Sequence, residues 1–380
     1  MSPPARHAVA ADFVFEGMSL HEDAAVVVEG STIARLVARV DAGDLPTTTL
    51  PRGLWLAPGF VDLQVNGGGD LLFNDAPTPH TLITIAAAHR QYGTTSFLPT
   101  LITDAPAKTA QAMAAIEGAM HDEPSILGLH LEGPFISPDK AGVHDPRFIR
   151  TPTEADVAQL AAPRAGALMV TLAPECVDES FIARLVASGV RVSLGHTNAT
   201  YAQTRAAIGA GARGFTHLFN AMRPLASREE GPIAAALEDS GCSFGLIADG
   251  VHVAPAMLRL ALRSSSHPML VTDAMPPVGG ARDSFRLYGE DITVVDGRCV
   301  RHDGTLAGAF LDMATAVRNA VRLAGASLEQ ALHYASASPA AFLGAKVGRL
   351  APGYRADMIV LDPKTIAVSR SWVAGRTTEP

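Results

Sequence analysis

ILGLHLEGP, residues 126–134, places two leucines, a histidine and a glutamate in strict alternation. In an extended strand, residues two apart share a face, so His130 and Glu132 point one way and Leu129 and Leu131 the other. Leucines facing outer helices would put His130 and Glu132 inside a barrel. A carboxylate in that interior is costly unless it is paired or metal-bound. An ion pair with Lys or Arg is the structural alternative. Glu132, nearer the end of the strand, is the better candidate ligand of the two.

Seven further apolar runs surround this one. They are PGFVDLQVNG from Pro58, TTSFLPT from Thr94, LMVTLAPE from Leu168, RVSLGHTN from Arg191, GFTHLFNAM from Gly214, FGLIADGVHV from Phe244 and PMLVTDA from Pro268. Ala-rich, helix-like stretches separate them, and that alternation signals βα units and a parallel sheet. Eight units imply an α/β chain folded as a (β/α)₈ barrel, with its active site at the C-terminal ends of the strands. A doubly wound open sheet is the competitor, but no GxGxxG follows the first run.

The flanks have a different texture. ADFVFEG, AAVVVEG, STIARLV and GLWLAP within residues 11–57 read as short strands, and so do ADMIVLD and IAVSRSWVAG near the other end. The expectation is a small β-sandwich domain formed by residues 1–56 and 346–380, beside a barrel spanning 57–345. FRLYGEDITVVDGRCVRHDGTLAG, residues 285–308, reads as a β-hairpin insertion turned at Asp296-Gly297 and Asp303-Gly304. Two helical stretches follow, near 309–324 and 327–343.

The 380 residues are 48% hydrophobic and 18% charged, which argues against disorder, and the net charge of -8 disfavours a nucleic-acid partner. The three cysteines form no CxxC pair and read as small buried apolar residues in a reducing compartment. Arg6, Asp12 and Glu16 precede any long apolar run, so the start does not read as a signal peptide. No stretch approaches the roughly 20 apolar residues of a membrane helix. The cytoplasm is the expected location.

Of 13 histidines, those with chemical promise stand where the runs end. His196 closes SLGHTN, and His217 lies in FTHLFNAM. Adjacent parallel strands are about 4.8 Å apart, so two imidazoles at matching height can share an ion. With Glu132 they make a His₂Glu set that leaves a coordination position open; a hydrogen-bonded histidine pair is the bland alternative. Asp273 ends VTDA, where a carboxylate can shuttle a proton between water and a leaving nitrogen; an N-cap or loop brace is the alternative there. On the first run, Asp62, Gln64 and Asn66 alternate with Val61, Leu63 and Val65, so the polar set faces inward. Where many barrel metal hydrolases carry His-x-His, this chain has Gln64-Val65-Asn66. Gln64 is expected to support the site by hydrogen-bonding to Glu132 or to a bound water, or else simply to fill the barrel mouth.

At these residues the chain resembles the N-acetylglucosamine-6-phosphate deacetylases of the amidohydrolase superfamily. PGFVDLQVNGGG, LGLHLEGPFISPDKAGVH, SLGHTNAT, THLFNAM, IADGVHV, VTDA, ASASPAAFLG and GRLAPGYRADMIVLD carry the resemblance over nearly the whole chain. It implies hydrolysis of the N-acetyl amide of N-acetylglucosamine 6-phosphate to glucosamine 6-phosphate and acetate. It implies one divalent metal ion per chain, zinc being the expected ion, on Glu132, His196 and His217. Asp273 would act as base and then acid, and His144 would polarise the acetyl carbonyl. Asn220, Ala221, Arg228 and His252 would contact substrate, with the planar fork of Arg228 on the phosphate. A salt bridge within SREEG is the structural alternative for Arg228. The partners implied are the small phosphorylated amino sugar and a second copy of the chain, in a homodimer. Two positions depart from the family pattern, Glu230 where Pro is common and Asp70 where Gly is usual. The competing readings are another amidohydrolase acting on a different N-acyl or cyclic amide, and a non-catalytic barrel.

Overall fold

Each of the eight runs supplies a strand to one parallel sheet in the computed structural model, which describes residues 6–264 and 266–378. We number these strands β1 (Phe60–Val65), β2 (Thr94–Ile102), β3 (Gly128–Glu132), β4 (Ala167–Leu172), β5 (Arg191–Leu194), β6 (Gly214–Phe215), β7 (Ser243–Ile247) and β8 (His267–Val271). Their order in the sheet is their order in the chain. The ends of the sheet meet: Val65 bridges Ala274 in parallel, and Asp273 N donates to Gln64 O at 2.9 Å. A doubly wound sheet reverses its strand order part-way; this one never does, and it closes into a (β/α)₈ barrel.

Local signals start the helices that cover it. Thr78 caps Pro79–Arg90, with Pro at the first turn, and Thr153, Thr200 and Ser327 each form a reciprocal capping box with the residue three positions on. Leu129 and Leu131 of β3 join the apolar layer between barrel and helices, together with Ile116, Val157 and Leu160. Behind β8 the chain forms a three-stranded antiparallel sheet of Ser284–Leu287, Glu290–Val295 and Arg298–Val300. Its turns fall at Tyr288-Gly289 and Asp296-Gly297, where all four residues have positive φ, the geometry of the tight hairpin turn. Only the second of these carries an Asp-Gly signal. Helix Met313–Arg322 follows. The stretch expected as one helix over 327–343 is two, Leu328–Ala335 and Ala337–Leu343, broken where Ser336 leaves the helical region at φ -136° and ψ -76°. Cys242 and Cys299 are buried, and Cys176 is only half-buried.

The chain ends supply a second sheet beside the barrel. Met358–Leu361, Val368–Val373 and Arg376–Thr378 extend it from Trp55–Pro58, which lies beside Arg6–Phe15, Leu20–Glu29 and Thr32–Ala38. Val9, Val26, Val28, Leu56, Met358, Val360 and Trp372 gather into one apolar core on it. Phe15, Ala57, Ile359 and Leu361 pack instead into the core of the barrel, so the two bodies share apolar surface.

A buried carboxylate adds a polar tie between them. Asp357 receives Arg355 Nε at 3.0 and 2.9 Å, Ala374 N at 2.8 Å and Ser96 Oγ of β2 at 3.1 Å. Arg355 also reaches Ser96 Oγ at 2.6 Å and the carbonyl of Pro124. Removing one partner of a buried ion pair strands the other in low dielectric. Asp357→Ala is therefore expected to lower unfolding free energy by about 3 kcal/mol, read as a lower urea midpoint at unchanged slope. A midpoint equal to that of wild type would show that the tie carries no stability.

Candidate active site

Glu132, His196 and His217 converge although the strands that deliver them end differently. Glu132 is the last residue of β3, His196 lies two residues past β5, and His217 two past β6. Both histidines sit at positive φ, 47° and 31°, as does Asp273 at 53°. Such backbone costs roughly 1–3 kcal/mol per residue and persists only where the surroundings enforce it. Gly195 is part of that enforcement: a Cβ there would lie 2.9 Å from Thr171 Cγ2 and from Thr216 Cβ, so only glycine lets the chain pass into His196.

The three side chains are buried and in mutual contact. His196 Nε2 lies 3.0 Å from Glu132 Oε1, His217 Nε2 lies 2.8 Å from the same oxygen, and the two Nε2 atoms are 3.1 Å apart. Burial would push the Glu132 carboxyl up, but its contacts with the two imidazoles outweigh burial and hold it well below the usual range, so it is an anion. His217 shows the reciprocal effect: burial opposes its charging, and the Glu132 contact outweighs this and raises it.

The proton count identifies what this cluster suits. His196 Nδ1 is 2.8 Å from Lys140 O, which can only accept, so the ring proton of a neutral His196 is on Nδ1. Its Nε2 then presents a lone pair to Glu132 Oε1 and to His217 Nε2. A proton on His217 Nε2 could satisfy its own contacts but not the one between His196 and Glu132. A cation shared by one carboxylate oxygen and two imidazole nitrogens removes the conflict, and this donor set is one that zinc and similar divalent ions accept. These three are the one group of such residues among those described whose ligand atoms all lie within 4.8 Å of each other.

Asp273 stands beside the cluster. Its Oδ1 accepts from Asn66 Nδ2 at 2.7 Å and Gln64 Nε2 at 3.1 Å, while Gln64 Nε2 also lies 3.2 Å from both Glu132 oxygens. Burial, and then the Glu132 charge, raise the Asp273 carboxyl to about 6. His144 packs its ring 4.3 Å from that of His196. Its Nδ1 accepts Thr103 N at 3.4 Å, which places the ring proton on Nε2, and lies 2.7 Å from Thr103 Oγ1, whose hydroxyl also reaches Glu132 O at 3.2 Å. Burial, reinforced by His196, lowers it to about 3, which keeps the ring neutral.

The remaining residues singled out in the sequence lie on the loops that follow β1, β6 and β7. Asn220 is half-buried, with Nδ2 3.3 Å from His217 O, and Ala221 follows at φ 49°. His252 is held by Asp249, Nδ1 to Oδ2 at 2.6 Å. Arg228 is exposed on the loop before helix Gly231–Glu238. Glu229 pairs with Arg223 at 3.0 Å, and no ion pair among the described residues involves Arg228. Asp70, at φ 67°, accepts Ala281 N and Arg282 N at 3.0 Å each, so the unusual residue braces the segment after β8. Sequence reasoning missed the roles of Asn66, Thr103 and the Lys140 carbonyl. Only the inward alternation of Asn66 signalled one of them; a hydroxyl on another strand and a backbone carbonyl leave no pattern.

With this geometry the chain can be set beside known proteins. The model of the amidohydrolase family matches residues 55–377. The chain belongs to the amidohydrolase family. This amidohydrolase is 41% identical over 367 residues to an N-acetylgalactosamine-6-phosphate deacetylase of Shewanella sp. (strain ANA-3), covering 94% of the chain and 92% of that protein. It is 39% identical to the N-acetylglucosamine-6-phosphate deacetylase of Mus musculus, covering 85% and 83%. Among solved structures it superposes on N-acetylglucosamine-6-phosphate deacetylase from Pasteurella multocida with a TM-score of 0.93 at 32% identity, covering 99% and 100% of the two chains. A mutant of the Mycobacterium smegmatis enzyme in complex with N-acetyl-D-glucosamine-6-phosphate gives 0.90 at 35%, covering 98% and 99%. The amidohydrolase family is metal-dependent, and the Glu132, His196 and His217 cluster is the candidate metal site in this member. No helix is long and apolar enough to cross a membrane among the described residues.

Proposed function

We propose that the chain hydrolyses the N-acetyl amide of N-acetylglucosamine 6-phosphate, releasing glucosamine 6-phosphate and acetate. The observation that carries this reading is the buried His₂Glu cluster bridged through Gln64 to the carboxylate of Asp273. The N-acetylgalactosamine 6-phosphate epimer is the second reading, favoured by the 41% identity to a deacetylase of that sugar.

Glu132, His196 and His217 would hold a divalent ion, for which we propose zinc, in a single site. Such an ion supplies Lewis-acid chemistry: it acidifies water and polarises an amide carbonyl. A second ion would need ligands from β1, where imidazoles are common in this superfamily. Here Gln64 and Asn66 turn their amide N–H groups onto Glu132 and Asp273 and offer no lone pair in that direction. Asp273 is the proton carrier. Its Oδ1 is held by the two amides, which leaves Oδ2 to take a proton from the attacking water and pass it to the leaving nitrogen. His144, neutral with its proton on Nε2, donates to the developing oxyanion. Asn220, Ala221 and His252 line the substrate side, and Arg228 grips the phosphate with its planar fork. Its exposure, beside the exposed Leu225, suits a loop used at a contact between two copies of the chain; we take the working form to be a homodimer in the cytoplasm.

The deciding experiment is a screen of both N-acetylhexosamine 6-phosphates and of free N-acetylglucosamine with wild type and Arg228→Ala. Wild type is expected to hydrolyse a phosphorylated sugar, and inactivity on both would sink the reading. A charge-assisted contact is worth about 1.5–3 kcal/mol, so Arg228→Ala should lose tens to hundreds of fold in kcat/KM on the phosphorylated sugar alone. Equal losses with and without the phosphate would make Arg228 structural.

Asp273→Asn keeps the shape and abolishes proton exchange, so kcat should fall by about 10²–10⁴-fold with the metal retained. Survival of more than about a tenth of wild-type kcat would remove Asp273 from that role.

Elemental analysis after growth with ample zinc should find about one equivalent per chain resisting dialysis, and much less in Glu132→Gln. Two retained equivalents that support activity would refute the single site.

A further inference from the structure

We propose that Asp62 is a positioning residue for this reaction: its buried carboxylate closes the seam between β1 and β8 and so sets the spacing of Gln64 and Asp273. The proposal rests on the role given to Asp273 above.

The barrel is joined by a ladder at every strand pair except this one, although the β1–β2 ladder shifts register twice. No ladder links β1 to β8 among the described residues, and the Val65 to Ala274 bridge lies at and beyond the strand ends. Deeper in the seam a side chain takes the place of the missing backbone acceptor. Asp62 Oδ1 accepts Thr272 N at 3.2 Å and Gln64 N at 3.2 Å, and Oδ2 accepts Thr272 Oγ1 at 2.5 Å. Asp62 and Thr272 are both fully buried. One carboxylate therefore fixes the backbone of Gln64 directly and that of Asp273 through the residue before it. Above it, Asp273 N meets Gln64 O at 2.9 Å, and the side chains meet at 3.1 Å.

The metal ligands come from β3, β5 and β6, so slack at this seam would move Asp273 and Gln64 while leaving Glu132, His196 and His217 in place. A displacement near 1 Å is enough to cost about 10²-fold in rate. A residue that only held the barrel together would degrade metal content and substrate affinity as well. Burial raises the Asp62 carboxyl to about 7, so an amide is a fair stand-in for it at neutral pH. Asp62→Asn keeps an oxygen able to accept both N–H groups. The amide nitrogen it introduces would donate to Thr272 Oγ1, whose hydroxyl already lies 3.4 Å from Gln64 O.

The test combines Asp62→Ala, Asp62→Asn and Thr272→Val with steady-state kinetics, metal content and a crystal structure of the alanine variant. Asp62→Ala is expected to lose about 100-fold in kcat with KM and metal content near those of wild type, and Asp62→Asn to recover most of the loss. Thr272→Val should fall between them. The crystal structure should show Gln64 Nε2 and Asp273 Oδ1 beyond hydrogen-bond reach. The proposal is overturned by wild-type kcat in Asp62→Ala, by an unmoved Gln64 and Asp273 pair, or by a joint loss of metal and KM. Should the alanine variant fail to fold, Thr272→Val decides: wild-type kcat there also overturns it. A wild type inactive on both sugar phosphates would instead sink the functional reading, and the crystal comparison would still decide the seam.

Discussion

Parallel strands in a closed ring all end at one rim, and everything proposed for this chain depends on that constraint. Each strand must run the same way because a helix returns the chain between them, so eight separate strand ends face one another across a small opening. Glu132, His196, His217 and Asp273 are far apart in sequence and meet because β3, β5, β6 and β8 finish there. The same ring excludes water from below: the barrel interior under the cluster is filled by Thr100, His130, Thr171, Thr216 and Ser193, linked in a continuous chain of hydrogen bonds.

Within that rim, electrostatics are arranged through second partners. His196 offers a lone pair to the cluster because the Lys140 carbonyl holds its one ring proton on Nδ1, and His144 stays neutral because burial forbids its charge. Glu132 remains an anion despite burial, and its negative charge helps raise Asp273. Gln64 touches both carboxylates with one amide, so two groups that would otherwise repel are fixed at a set distance. Neighbouring carboxylates whose affinities for protons are pushed apart in this way are suited to different tasks.

The cost of this rim is backbone strain. His196, His217, Ala221 and Asp273 all stand at positive φ, in the turns where strand gives way to loop. The rest of the structure supplies what holds them: apolar contact between barrel and helices, the shared core of the end sheet, and the buried Asp357 and Arg355 tie. Strain concentrated at the reactive end and stability concentrated elsewhere is the expected division in a barrel enzyme.

The sequence by itself pointed to a parallel sheet of eight units, because strand-like and helix-like stretches alternate eight times; the unreversed strand order and the β1–β8 seam that close it into a barrel belong to the tertiary structure. The sequence also determined which side chains of β3 face inward, since Leu129 and Leu131 can satisfy only the helix side. Glu132, His196 and Asp273 were legible because each stands at the polar end of an apolar run, and His217 because it interrupts one. The β6 run reads longer than its two-residue strand, and the break at Ser336 gave no warning, because local propensity says nothing of where tertiary packing ends an element. The Tyr288-Gly289 turn was hidden for a related reason: tyrosine adopts positive φ only when the paired strands demand it. Only the tertiary structure decided that Lys140 O orients His196, that Thr103 orients His144, and that Asp62 holds Thr272. Those contacts join residues from separate strands and loops, and a hydrogen bond between two chain segments depends on distance and direction, which no residue pattern along the chain encodes.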